Sequence, residues 1–121
     1  MKIMGYVRDR EPNKKWPVLE LYFRSNNRSA LPQGDREPIE LDINGVRWQG
    51  TINSTNPTNK PYVHSSLHAG SKQSSCSEVL LNLGLAENAQ IEFDLTGENT
   101  FRLVSIVNKG QWRPGNAPHE R

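Results

Sequence analysis

Apolar and polar residues alternate most regularly in residues 39–52, and this stretch is the starting point for the prediction. Residues 39–43 place Ile or Leu at every second position with acidic residues between them, the pattern of a strand with one buried face. Asn44 and Gly45 follow, the pair that best tolerates the positive φ angles of a two-residue hairpin turn. The register predicted from this turn pairs Ile43 with Val46, Leu41 with Trp48, Ile39 with Gly50 and Asp42 with Arg47. A slip of one residue would move Trp48 into water, so the pattern predicts a β-hairpin with a single register.

The same kind of pattern predicts further strands at residues 3–7, 18–24, 61–67, 91–95 and 100–107. The first of these is short and is expected at an edge of the sheet. A helix of about two turns is expected after Ser75, because Glu78 completes a capping box and Gly84 stands where a helix commonly ends. The chain is therefore predicted to be mainly β, a small open pseudobarrel of six to seven strands with one or two short helices. A two-sheet sandwich is the competing architecture.

Composition limits the class of protein. With 121 residues the chain is long enough for one domain with a buried core and no disulfides. The single Cys76 excludes an internal disulfide and is typical of a reducing compartment, so we expect a cytoplasmic protein. The sequence has neither an apolar run of membrane-spanning length nor a secretion leader, and no membrane association is expected. Residues 1–107 are predicted to form the domain, and residues 108–121 a linker-like basic tail, because Gly and Pro occur there without periodicity.

Charge is distributed unevenly, although the formal net charge is only +2. Residues 1–72 contain 11 Lys or Arg against 7 Asp or Glu, whereas residues 73–107 contain one Arg against 5 acidic residues. A protein with a basic and an acidic side can orient on a polyanion despite a small total charge. The same counts also fit ordinary scatter of surface charge, so charge alone leaves both interpretations open.

Two long polar loops, residues 26–38 and residues 53–60, lie on either side of the predicted hairpin. Loops of this length in a small domain are more often functional than passive connections. Arg can reach guanine, Asn and Gln can reach adenine, and Lys and Ser can contact phosphates. The candidate DNA-binding residues are Arg24, Asn26, Asn27, Arg28, Gln33, Arg36, Asn53, Asn56, Asn59, Lys60, His64 and Ser66. Asn, Ser and Thr are also good loop formers, and that explanation stays open.

Catalytic and metal-binding patterns are not found in the sequence. His64 and His68 are four residues apart with Cys76 downstream, but no C-x-x-C pair or fourth ligand accompanies them. No Gly-rich phosphate loop opens a helix, and no Ser stands in a nucleophile elbow. Glu92 and Asp94 share the outer face of one predicted strand, where like charges are usually only solvated. We therefore expect no catalytic site, no metal and no cofactor in this segment.

The order of elements resembles the B-three family of DNA-binding pseudobarrels, which occur in plant transcription factors and in recognition or effector domains of EcoRII-type and BfiI-type restriction endonucleases. Residues 41–48 resemble the family's strand, Asn-Gly turn and strand with a Trp. Residues 85–93 resemble its leucine, turn and strand with a Phe, and residues 100–106 its closing strand. The resemblance covers about residues 39–107.

This resemblance implies that two arms grip the major groove of DNA: the N-arm, residues 22–36, and the C-arm, residues 53–66. On the family's pattern, the expected contacts are Arg24, Asn26 and Arg28 in the N-arm, and Asn56, Asn59, Lys60 and His64 in the C-arm. The expected function is sequence-specific binding of double-stranded DNA, as the recognition domain of a restriction endonuclease with an attached or associated nuclease domain. The alternatives are a protein-interaction or small-ligand-binding barrel, and a stand-alone enzyme whose site is not recognised.

Overall fold

The computed structural model describes residues 1–55, 60–97 and 99–112, and it is mainly β. A 3₁₀ helix covers Ser25–Ala30, and a single α-helix, α1, covers Cys76–Asn82 among these residues. The described strands are β1 Lys2–Asp9, β2 Leu19–Tyr22, β3 Glu37–Ile43, β4 Val46–Asn53, β5 Tyr62–Val63, β6 Ser66–Ala69, β7 Lys72–Ser75, β8 Gln90–Leu95 and β9 Thr100–Asn108.

Seven of these strands form a closed barrel. The order of neighbouring strands is β3-β9-β8-β1-β2-β5-β4. The last strand, β4, pairs with the first, β3, and this pairing closes the ring. The link between β2 and β5 is the shortest: Tyr22 pairs with Tyr62, and the Phe23 N–H donates to the Pro61 carbonyl at 2.8 Å. The β6–β7 hairpin is attached to the outside of the ring through β4. The prediction of a small, mainly β barrel of six to seven strands is confirmed, and its ring is closed where an open pseudobarrel was predicted.

The central hairpin has the predicted register. Leu41 pairs with Trp48 and Asp42 with Arg47, and the two turn residues, Asn44 and Gly45, have φ angles of 52° and 84°. Positive φ at both positions gives the turn a twist that matches the two strands, which fixes the register at its origin. Gly50, in the middle of β4, leaves room for Leu67 of the β6–β7 hairpin, because a Cβ there would lie 2.6 Å from Leu67 Cδ2.

The barrel interior is filled by alternate residues of every long strand. At its centre the rings of Phe23, Phe93 and Phe101 lie 5.5 to 6.3 Å apart between centroids, and all three are fully buried. Tilted and edge-on contacts of this kind are favourable for aromatic rings. Val79 and Leu80 of α1 belong to the same core, and α1 packs against β2. This packing fixes which side chains must face outward on each strand.

The predicted ends of helix α1 are confirmed. The Glu78 backbone N–H donates to Ser75 Oγ at 3.0 Å, as expected for a capping box. At the other end Gly84 takes a φ of +77°, the left-handed conformation that glycine adopts without a steric penalty.

Four predicted elements differ from the structure. The segment 3–7 is part of a longer strand between β8 and β2 and is not at an edge. Residues 26–38, predicted as loop, begin inside the 3₁₀ helix, and their last two residues belong to β3. The predicted strand 61–67 is divided between β5 and β6, and residues 68–74, for which the sequence predicts a loop, include the end of β6 and most of β7. The position of β1 inside the sheet depends on partners that are distant in sequence, and β7 is polar on both faces, so the local apolar pattern indicates neither feature.

The domain continues beyond the predicted boundary at residue 107. β9 ends at Asn108, and the Ala86 N–H donates to the Lys109 carbonyl at 2.8 Å. The Gln111 N–H donates to the Glu87 carbonyl at 3.0 Å, and Trp112 packs against the core. Residues 113–121 of the predicted tail lie outside the described residues. No helix in the described part of the chain is long and apolar enough to cross a membrane.

Candidate nucleic-acid interface

Three tyrosines form a row across the outer face of the barrel. Buried residues alternate with more exposed ones along β1, so its even-numbered side chains point outward. The register pairs Tyr6 with Tyr22 and Tyr22 with Tyr62, which aligns one tyrosine on each of three neighbouring strands. The Tyr6 and Tyr22 rings are stacked, with centroids 5.7 Å apart. We call these residues the tyrosine row.

Cationic side chains lie over the tyrosine row. The Arg24 guanidinium is 4.7 Å from the centre of the Tyr6 ring, and the Lys60 ammonium is 4.9 Å from the centre of the Tyr22 ring. Arg8 approaches Tyr22 as well, at 5.4 Å. Cations within about 6 Å of an aromatic face are attracted by the ring's electron density. Two predicted site residues from separate arms, Arg24 and Lys60, therefore meet on one aromatic surface.

Below the tyrosine row, two arginines neutralise a buried carboxylate. The Glu20 side chain is only 5% exposed, and Arg8 Nε donates to its Oε1 at 2.8 Å. Arg10 Nε lies 3.5 Å from the other oxygen, Oε2. Burial of an unpaired carboxylate is costly, so these ion pairs allow Glu20 to remain in a largely basic surface. They also fix the direction of the two arginine side chains.

The N-arm and the C-arm are joined at Ser54, which is 1% exposed. Its backbone N–H donates to the Gly34 carbonyl at 2.9 Å, and its Oγ accepts from the Gly34 N–H at 3.2 Å and donates to the Pro32 carbonyl. The Arg28 guanidinium donates to the Ser54 carbonyl. A buried serine with all these partners fixes the position of one arm against the other.

Asp35 makes a second junction between the arms. Its Oδ1 accepts from Asn53 Nδ2 at 2.8 Å, and its carbonyl lies 2.8 Å from His64 Nε2. The His64 ring also meets the Tyr62 ring edge-on, with centroids 5.2 Å apart. His64 therefore connects the arm junction to the end of the tyrosine row.

The predicted site residues fall into distinct positions. Arg28, Asn53 and His64 form the junctions, and Gln33 Nε2 donates to the Leu31 carbonyl at 2.9 Å just after the 3₁₀ helix. The 3₁₀ helix itself carries Asn26, which is exposed, and Asn27, which is half-buried. Arg36 lines a cavity beside Tyr62, and Ser66 begins β6 outside the barrel. Asn56 and Asn59 lie outside the described residues.

Sequence reasoning missed the tyrosine row and Arg8. The available signal was that Tyr6 and Tyr22 each occupy an outward position of a strand whose alternate residues are apolar. Their alignment depends on the pairing of β1 with β2 and of β2 with β5, and neither pairing is encoded by a local turn. Aromatic side chains beside cations are typical of surfaces that bind nucleic acid, where the bases of single strands stack on them.

The strand face beyond β1 is acidic and paired with its own cations. The Met1 ammonium donates to Asp94 Oδ1 at 3.0 Å, and Arg102 Nη2 donates to Oδ2 of the same carboxylate at 3.3 Å. The hydrogen bond from the ammonium is the main reason that the pKa of Asp94 is lowered. Asp94 is therefore neutralised locally by the Met1 ammonium and the Arg102 guanidinium.

Cys76 is buried at the start of α1. Desolvation by burial raises the pKa of its thiol from 9.0 to about 12, so the thiolate is strongly disfavoured at neutral pH. Within residues 1–55, 60–97 and 99–112, no three His, Cys, Asp or Glu side chains come together in a group that could hold a metal ion.

Comparisons with protein-family models, with curated proteins and with solved structures found no significant match. The resemblance to the B-three family therefore stays a prediction from the sequence.

Proposed function

We propose that this domain binds double-stranded DNA in a sequence-specific manner through the tyrosine row and the two joined arms. The observation that carries the proposal is the meeting of Arg24 and Lys60, one from each arm, over Tyr6 and Tyr22. Their charges can contact phosphates, and the tyrosine hydroxyls can donate further hydrogen bonds to the DNA backbone. Phosphate contacts of this kind supply affinity and set the register of a protein on the duplex.

Preorganisation supports this assignment. A long cationic side chain normally loses rotamer freedom when it binds a phosphate, which costs about 0.5–1.5 kcal/mol per side chain. Arg8 is already restrained by Glu20, while Arg24 and Lys60 rest on aromatic rings. Part of that ordering cost is therefore met before DNA arrives.

Base recognition is assigned to the parts of the arms beyond the junctions. Asn26 is exposed on the 3₁₀ helix, and the amide of Asn can pair with adenine in the major groove. Asn53 and His64 are proposed to act indirectly, because each contacts Asp35 and so sets the spacing of the arms. This division assigns phosphate contacts to the tyrosine row and sequence readout to the arm ends.

We further propose that the domain is the recognition part of a restriction-type enzyme, with catalysis in an attached or associated nuclease domain. The order of strands that resembles the B-three family supports this, as does the two-arm arrangement. A cytoplasmic setting suits the unpaired, buried Cys76.

The test is fluorescence anisotropy with a randomised DNA duplex at about 50 and 200 mM salt, followed by sequencing of the bound fraction. We expect the affinity to fall about a hundredfold between these salt concentrations if about four phosphates are contacted. We also expect enrichment of a short motif.

Two results would contradict the proposal. Salt-sensitive binding without enrichment would leave a polyanion-binding surface and remove sequence specificity. Absence of binding at the lower salt concentration would remove DNA altogether and favour a protein-interaction or small-ligand-binding barrel.

A further inference from the structure

A cavity of about 490 Å³ opens beside the tyrosine row, between β5, α1 and the segment that precedes β2. This volume lies in the range of small-molecule sites, about 300–1,000 Å³. Its lining includes Tyr62 and His64 at one end and Trp16 and Arg10 from the segment before β2. Because Tyr62 belongs to both, the cavity continues the surface that we propose for DNA.

The lining combines the groups that a nucleotide requires. Trp16 is 40% exposed, and its indole is a large aromatic group with the Lys15 ammonium 5.6 Å from the ring centre, over one face. Arg36, together with the guanidinium N–H groups of Arg10 that do not face Glu20, offers donors to a phosphate, while the Ser65 hydroxyl offers an acceptor to the polar edge of a base. An aromatic face, cations and an acceptor together favour a base with its phosphate over a purely apolar or purely anionic ligand.

We propose that this cavity binds one unpaired nucleotide of the DNA, with its base on Trp16 and its phosphate on Arg10 or Arg36. The inference rests on the proposed function, because the rest of the DNA lies on the tyrosine row. It adds a preference for DNA in which one base is out of the duplex. Stacking of a base on an aromatic side chain is tolerant of sequence, so this preference applies to all four bases.

The experiment compares a perfect duplex of the selected sequence with a series of duplexes of that sequence. Each duplex of the series carries a single-nucleotide bulge, and the bulge lies at successive positions along the series. We expect the wild-type protein to bind the best bulged duplex about 5- to 100-fold more tightly than the perfect one. Trp16→Ala removes this preference and leaves the affinity for the perfect duplex unchanged, whereas Trp16→Phe retains most of it. Thermal unfolding of both variants verifies that the domain is folded.

A 2-aminopurine at the bulge reports the position of the base directly. Its fluorescence is expected to be quenched on binding to the wild-type protein, through stacking on the indole, and to stay high with Trp16→Ala.

Three results would contradict the proposed nucleotide site, alone or together with the proposed function. Equal affinity for perfect and bulged duplexes at every position removes the inference and leaves the proposed function intact. A preference that survives in Trp16→Ala shows that the unpaired base lies outside the cavity. Absence of binding to either duplex removes both proposals.

Discussion

At the scale of single residues, Lys60 and Lys72 make a matched pair. Each places its ammonium over an aromatic ring, Lys60 at 4.9 Å from Tyr22 and Lys72 at 5.5 Å from Trp48. Only Lys60 stands on the tyrosine row, so the two variants remove the same charge from different faces of the domain.

We expect Lys60→Ala to weaken duplex binding about fivefold near 0.1 M salt and to reduce the slope of log affinity against log salt by about 1. Lys72→Ala is expected to leave both quantities unchanged. Anisotropy titrations across a series of salt concentrations measure them. Equal effects of the two substitutions would contradict a role for the tyrosine row.

Arg28 has a structural role that its sequence position did not indicate. Because its guanidinium donates to the Ser54 carbonyl, Arg28→Ala leaves that carbonyl without this partner. We expect the free energy of unfolding in urea to fall by about 1–3 kcal/mol, together with weaker DNA binding. Arg47→Ala, at an exposed position near the hairpin turn, is the control and is expected to change unfolding by less than about 0.5 kcal/mol. Unchanged stability in Arg28→Ala would mean that the arms do not depend on this contact.

Cys76 gives the domain a predictable response to alkaline pH. The folded chain keeps the thiol proton up to about pH 12, whereas the ordinary pKa is 9.0. The unfolded state therefore loses this proton first, and the free energy of unfolding falls by about 1.4 kcal/mol per pH unit within this window. The contribution is fully present below pH 9.

Cys76→Ala is expected to remove this fall in the free energy of unfolding with pH. The pH dependence that comes from other titratable groups is expected to remain. Urea unfolding of wild type and variant at several pH values between about 8 and 11 measures the difference. If the free energy of unfolding depended on pH in the same way for wild type and variant over this range, the thiol would ionise as easily in the folded chain as in the unfolded one.

At the scale of elements, Ser54 connects the arms. In Ser54→Ala the Gly34 N–H loses the hydroxyl acceptor and the Pro32 carbonyl loses its donor, at a site that is 1% exposed. We expect the variant to be about 1–3 kcal/mol less stable. The backbone bonds of residue 54 to Gly34 and Arg28 remain, but the arms are held less firmly without the hydroxyl, so the variant should lose more affinity for the selected sequence than for random duplex.

Ser29→Ala, at an exposed position of the 3₁₀ helix, is the control for Ser54→Ala. Urea unfolding and two parallel anisotropy titrations, with selected and random duplex, provide the readouts. An equal loss of affinity for both duplexes would assign Ser54 to general stability and not to the spacing of the arms.

Elements with a local signal were predictable, and elements without one were not. Asn44 and Gly45 encode their own turn, and alternate apolar residues fix the register on both sides of it. Ser75 and Gly84 likewise mark the ends of α1. β7 has only polar residues, and its existence depends on pairing with β6, whose Leu67 packs beside Gly50. No period in the sequence marks such a strand.

At the scale of the whole molecule, the sequence indicated a basic and an acidic part but not the surface they form. Arg24 and Lys60 were predictable as candidates because they are basic residues at the edges of polar loops. Their meeting over Tyr6 and Tyr22 required the complete ring of strands, since β1, β2 and β5 come from separate parts of the chain. The cavity at Trp16 likewise depends on three segments and has no counterpart in any local motif.

The short link between β2 and β5 has a consequence for how the barrel and a ligand influence each other. This link is where local opening of the ring is easiest, so hydrogen exchange of the Phe23 amide is expected to be faster than that of core amides in β8. The tyrosine row crosses the same link, with Tyr22 on one side and Tyr62 on the other. DNA that lies across the row therefore holds the two sides of this link together. At a free DNA concentration of a hundred times the Kd, binding would raise the free energy of unfolding by about 2.7 kcal/mol. Hydrogen exchange of the Phe23 amide would slow by more than this gain in global stability accounts for.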